Sequence, residues 1–126
     1  VPVVYTSQHL SLAAVELLVH RNTLSWRGDF VAFRAEWEDS LVEHLDPSRL
    51  PGNWRAEPPP LALQQIGEAW ARGNRSAVLA VPSVVIPQEF NYLLNPLHPA
   101  FKKIVVSQAE SFVLDPRLVG LPAFKP

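Results

Sequence analysis

The sequence predicts one domain of mixed strands and helices, and three observations carry that expectation. Short β-branched and aromatic runs alternate with two longer Leu- and Ala-rich stretches, which are the signatures of strands and helices in turn. The 126 residues leave room for a single core, because a second would bury too little surface on either side. Hydrophobic residues make up 48% of the chain, with four Trp and six Phe, enough to pack a core and too many for a disordered chain.

The elements follow in order. Val1 to Thr6 is β-branched and aromatic and predicts a strand with Tyr5 at its end. Leu10 to His20 (LSLAAVELLVH) is too long for a buried strand and predicts a helix with Ser7 or Ser11 as N-cap; His20 and Arg21 suit the C-terminal end of its dipole. After a turn around Arg27-Gly28-Asp29, Phe30 to Trp37 alternates so that Val31, Phe33, Ala35 and Trp37 share one face of a strand. Residues 38 to 60, with Pro47, Pro51, Gly52 and the Pro58-Pro59-Pro60 triplet, read as a connection containing at most a helical turn. In Leu61 to Arg72 the residues Ala62, Leu63, Ile66, Ala69 and Trp70 recur at helical spacing, Gln64, Gln65 and Glu68 face away, and Gly73 is placed to cap the helix. Ser76 to Val81 and Glu89 to Leu94 predict strands, Pro99 to Lys103 a short helical piece, and Ile104 to Leu114 one strand or a broken pair before a Pro-containing tail.

Composition excludes several classes of function. Net charge is -1 and the only adjacent basic pair is Lys102-Lys103, so nothing draws in a nucleic-acid backbone. The absence of Cys removes disulfides, thiolate metal sites and a Cys nucleophile, and is compatible with a cytoplasmic protein. No apolar run reaches the length of a membrane span. The four histidines, at 9, 20, 44 and 98, have no metal-ligand spacing, and no glycine-rich nucleotide motif is present.

Three polar positions stand out against their surroundings. Glu16 lies inside LAAVELLV, where no rotation of a helix gives it a polar face, and an uncompensated carboxylate there is costly. It either caps a groove edge or pairs with an Arg, or it holds a sugar hydroxyl and stabilises positive charge on a ribose ring. Ser83 interrupts the apolar run AVLAVPSVVIP where a strand should leave its sheet; a Ser after Pro is an ordinary turn residue, and strand ends also host sites. No G-x-S-x-G elbow surrounds it. Asn91 and Asn95 flank YLL in FNYLLNPLHP, where Asn95-Pro96 predicts a turn with His98 two residues beyond.

The order of these features resembles the RES domain, a family named for arginine, glutamate and serine. The resemblance is carried by PVVYTSQHLSLAAVELLVH (residues 2 to 20), LPGNWR (50 to 55) and AVLAVPSVVIPQEFNYLLNPLHPAFKKI (77 to 104), and extends over nearly all of residues 1 to 126. It implies an α+β fold like that of ADP-ribosyltransferases, with mixed sheets and flanking helices around an NAD cleft. It also implies a toxin that cleaves the nicotinamide–ribose bond, with phosphate or water as acceptor, held inactive by an antitoxin carrying a helix-turn-helix domain. NAD would be substrate and no cofactor or metal is implied. Carried over residue by residue, Tyr5, Glu16 and Ser83 form the catalytic site, with Asn91, Asn95 and His98 in support of substrate binding. The family's arginine stands before the Tyr-bearing strand, so its counterpart is expected ahead of Val1.

On this resemblance Glu16 stabilises the charge on the ribose, Tyr5 stacks on or positions the nicotinamide, and Ser83 donates to a phosphate or ribose oxygen. Two other readings accompany it: a protein ADP-ribosyltransferase using the same cleft, and a non-catalytic module that engages the antitoxin. The hydrophobic fraction also leaves room for a homodimer.

Overall fold

The computed structural model describes residues 2–20 and 29–119. The turn expected around Arg27 and Gly28 and the tail beyond 119 lie outside the described residues. The elements are β1 (Val4–Ser7), α1 (Leu10–His20), β2 (Asp29–Ala32), β3 (Ala35–Glu36), β4 (Val42–His44), α2 (Leu61–Gly73), β5 (Val78–Pro82), β6 (Phe90–Leu94), β7 (Val105–Val106), β8 (Glu110–Val113) and α3 (Pro116–Val119), with 3-10 turns at Asp39–Leu41, Pro47–Arg49 and Pro99–Lys103. The arrangement is a small α+β domain.

A four-stranded sheet in the order β1-β6-β5-β4 forms its centre. β6 pairs antiparallel with both β1 and β5, and β4 runs parallel to β5. Paired residues share a face, and alternation along each strand sorts the side chains between the two faces. Leu79 and Leu93 are opposite each other on one face, where they pack with Leu45, Trp70 and Ala71 and bury the apolar stripe of α2. The approach is close: a Cβ built at Gly67 of α2 would stand 3.8 Å from Leu93 Cδ1. Val78 and Leu94 occupy the other face, packed with Ala77, Ile104 and flanking Trp37 and Phe101. The sheet is thus covered on both sides, which explains why β5 reads as an uninterrupted apolar run.

α2 ends as its sequence demands, one residue later than expected. Gly73 is still helical, and Asn74 takes the left-handed conformation with φ 54° and ψ 36° while its N–H bonds to the Ala71 carbonyl. Asn is among the few residues that tolerate this conformation. Ala69 is exposed despite its place in the apolar pattern, whereas Trp70 is 1% exposed and its Nε1 donates to Ser76 Oγ at 2.7 Å.

Two sequence expectations are corrected. The single strand over Phe30 to Trp37 is two strands: β2 pairs with β8 and β3 pairs with β7, in separate two-stranded sheets. The break falls at Arg34, where backbone N–H and carbonyl both bond to Ser107, to its Oγ at 2.9 Å and from its N at 2.8 Å. Burial changes parity there, so Phe30 packs inward with Phe112 against Ala14 and Leu114, while Val31 and Phe33 are exposed. The second correction is β4, a strand inside the segment read as a connection. Its three residues lie between two 3-10 turns and gain their place only by pairing with β5.

The core assigns large and small costs to neighbouring leucines. Leu79→Ala, at a residue 1% exposed, should lower unfolding stability by about 2–5 kcal/mol. Leu97→Ala, at a residue 68% exposed, should change it by no more than about 0.5 kcal/mol. Urea unfolding of the two variants measures both.

Candidate active site

The site forms at one end of the central sheet, where β1 and β5 finish and β6 begins. The register pairs Ser7 with Asn91 across β1 and β6, and Val81 with Asn91 across β5 and β6. Asn91 lies on the same face as Leu93, two residues along, and so does Ser7 through its pairing. The chain then turns from β1 into α1 almost at once. This junction is tied to β6, since Gln8 N–H bonds to the Phe90 carbonyl and Phe90 N–H to Gln8 Oε1, both at 3.0 Å.

α1 is buried on two sides. Ala14 packs on the β2 and β8 side, and Leu12, 2% exposed, lies one helical turn before Glu16 on the opposite side. Glu16 therefore reaches toward the sheet end. Its Oε2 accepts from Ser83 Oγ at 2.8 Å and from Asn91 Nδ2 at 2.6 Å. Asn91 in turn accepts at Oδ1 from Ser7 Oγ at 2.8 Å. Because a carboxylate only accepts, it selects the amide nitrogen of Asn91 and leaves the amide oxygen to face Ser7.

Ser83 is 0% exposed. Its oxygen accepts from Val85 N–H at 3.1 Å and Ile86 N–H at 3.0 Å, and its own N–H bonds to the Glu89 carbonyl at 2.9 Å. A hydroxyl has one proton and two lone pairs, so these two N–H groups and Glu16 fill its capacity. Ser83 is thus both the turn residue that Pro82-Ser83 predicts and a partner of the glutamate. The donation to a phosphate or ribose oxygen expected for Ser83 has no proton in this arrangement, because that proton lies on the bond to Glu16.

Tyr5 sits in β1 with its side chain 75% exposed, and its backbone pairs with Leu93. Alternation places it on the face of Ser7, about 7 Å along the strand. The structure thus gathers Glu16, Ser83 and Asn91 by direct contact and leaves Tyr5 as an exposed aromatic beside them.

Asn95 and His98 are at the other end of β6. Asn95, 0% exposed, donates from Nδ2 to the Ala71 carbonyl and to Asn74 Oδ1, each at 3.2 Å, and accepts from Leu97 N–H at 3.0 Å. It fastens β6 to the end of α2. His98 Nδ1 accepts from Ala100 N–H at 3.0 Å and caps the 3-10 turn at Pro99–Lys103. The substrate-binding support expected from these two residues is not joined to Glu16; their polar atoms hold backbone and the Asn74 side chain. Ser7, in contrast, was read from sequence only as a cap, and nothing local in VYTSQ marks its contact with a residue 84 positions away.

Among the described residues no cluster of His, Asp and Glu gathers as a metal site. An apolar recess beside α1, about 410 Å3 and lined by Leu10, Ala14, Leu18 and Phe112 among others, contains none of Glu16, Ser83 or Asn91. Apart from Ser11 its lining is apolar, which offers little to orient a polar substrate.

Comparison with known proteins identifies the family. The model of the RES domain matches residues 1–115. The chain is 41% identical over 116 residues to the protein named Toxin Res of Yersinia enterocolitica, covering 91% of this chain and 76% of the relative. It is 34% identical over 122 residues to the Prs ADP-ribosylating toxin of a Sphingobium species, covering 94% and 76%. A Toxin Res of Pseudomonas putida is 31% identical over 119 residues, covering 93% and 79%. This chain belongs to the RES domain family.

Removing the Ser83 hydroxyl leaves two backbone N–H groups and one carboxylate oxygen each short of a partner. Ser83→Ala should therefore lower unfolding stability by about 1–3 kcal/mol, read by chemical denaturation. A loss below about 0.5 kcal/mol would show that water replaces the hydroxyl.

Proposed function

We propose that this chain is a toxin that degrades NAD by breaking the bond between nicotinamide and ribose, on a fold of the ADP-ribosyltransferase type. The observation that supports it most is the Glu16 carboxylate, held at a sheet end by Ser83 and Asn91 beside the exposed Tyr5. Nicotinamide in NAD already carries positive charge and leaves without a proton donor. Its departure concentrates positive character on the ribose, and the group that helps is a fixed anion. Ser83 and Asn91 both donate to one carboxylate oxygen and orient Glu16, so it meets the developing charge with little rearrangement. Tyr5 offers an aromatic face for the flat cationic ring. Phosphate or water then takes the ribosyl group, as an NAD phosphorylase or a glycohydrolase.

The relatives named Toxin Res support the toxin part of this reading. A toxin made by its own cell requires restraint, and an antitoxin with a helix-turn-helix domain is the partner we assign to it. A second reading is favoured by the relative named as an ADP-ribosylating toxin, in which a protein side chain replaces water or phosphate as acceptor.

Glu16→Gln keeps the side chain's shape and removes its charge. In the full-length protein it should slow nicotinamide release from NAD by at least about 100-fold; release at the native rate would remove the mechanism. The acceptor is read separately. Loss of NAD that depends on added phosphate marks a phosphorylase, loss that is unchanged without phosphate marks a glycohydrolase, and transfer of label from NAD to protein marks the second reading.

A further inference from the structure

The segment LPGNWR is used by neither the carboxylate site nor the core pairing of the sheet, yet the structure brings it to the site's edge. Trp54 N–H bonds to the Pro51 carbonyl at 3.0 Å and Ala56 N–H to the Asn53 carbonyl at 2.9 Å, which folds residues 51 to 56 into consecutive turns. Arg55 projects from these turns, and its Nε donates to the Val84 carbonyl at 2.9 Å. Val84 directly follows Ser83, whose hydroxyl bonds to Glu16. One residue of chain spans about 3.8 Å, so with the two hydrogen bonds and the reach of the intervening atoms the guanidinium stands within about 14 Å of the carboxylate.

Among the described residues Arg34, Arg72, Arg75 and Arg117 each lie within ion-pair distance of a carboxylate, and of the remaining described arginines, Arg49 and Arg55, it is Arg55 that is tied to the residue after Ser83. Arg55 makes no such pair among the described residues; it spends one N–H on a neutral carbonyl and is exposed. That bond anchors the guanidinium of this exposed residue at Nε and leaves its two outer nitrogens available for another partner. A planar fork with two parallel N–H donors matches the oxygens of a phosphate.

We propose that Arg55 binds a phosphate group at this site, with its Nε tether to Val84 setting the fork's direction. The identity of that phosphate rests on the NAD-cleavage reading above. Two sources share the chemistry: the pyrophosphate of the dinucleotide, or inorganic phosphate poised as acceptor. Ser83, whose proton is committed to Glu16, cannot supply this contact, and Arg55 stands tied to the residue that follows it.

The test uses full-length wild-type protein and the variants Arg55→Gln and Arg55→Lys. Nicotinamide release is followed from NAD and from nicotinamide riboside, which carries no phosphate, with and without added inorganic phosphate. Arg55→Gln should raise KM at least tenfold, for NAD if the dinucleotide's pyrophosphate is held, or for inorganic phosphate if the acceptor is held. Phosphate-free turnover of the riboside should stay within twofold, and Arg55→Lys, which keeps charge and loses the fork, should fall between. Equal loss toward NAD and the riboside in phosphate-free buffer would overturn the proposal, because Arg55 would then only brace the turn after Ser83, and so would unchanged KM for both NAD and phosphate. Calorimetric binding of inorganic pyrophosphate gives a readout free of turnover. Affinity at least tenfold weaker in Arg55→Gln supports the proposal, while equal affinity, or no binding by the wild type, overturns it. Wild-type protein that releases no nicotinamide would sink the NAD reading, and pyrophosphate binding would still decide Arg55.

Discussion

Desolvating the Glu16 carboxylate costs free energy, and the chain offsets that cost with donors from residues 83 and 91. Those donors have to be fixed before they help, and much of the surrounding architecture does the fixing. Ser83 is held by two N–H groups of its own turn and by its backbone bond to Glu89. Asn91 is held by Ser7 and by its place between two strands. The carboxylate, the turn and the strand ends define one another, so a change at any of the four side chains reaches the others along one chain of hydrogen bonds.

The two ends of β6 divide the labour. At its start Asn91 presents a side-chain amide to a charged group. At its end Asn95 uses the same functional group to bind only backbone and Asn74, closing the gap between the sheet and α2. Between them Leu93 meets α2 and Leu94 meets the opposite layer. One amide thus serves a site and the other an anchor, and the difference comes from which groups arrive opposite them, not from anything in the Asn residues.

That difference explains what could and could not be read from sequence. α1 and the Pro99–Lys103 turn fall on their expected residues, and α2, β5 and β6 within two, because periodicity, Pro and helix-ending residues are local signals. Glu16 was visible as a charge without a polar face, and Ser83 as a polar break in an apolar run. β4 was not visible, since three residues between turns acquire strand geometry from β5 alone. The parity change at Arg34 was likewise invisible, because Ser107, which causes it, is 73 positions away. Asn91 and Asn95 looked equivalent in FNYLLNP and were treated alike; only the register separates them. The contact of Ser7 with Asn91 lies 84 positions apart and had no signal in either segment.

The pairing of β1 with β6 joins the two ends of a long loop, with Val4 opposite Leu94. Bringing such distant segments together carries a closure entropy that is repaid only once both strands exist. On a ribosome the first strand therefore waits, unpaired, until the segment 84 residues after it has emerged. Glu16 precedes Ser83 and Asn91 by 67 and 75 residues. The carboxylate therefore stands in the nascent chain well before these partners, and the site is completed only when β6 closes the sheet.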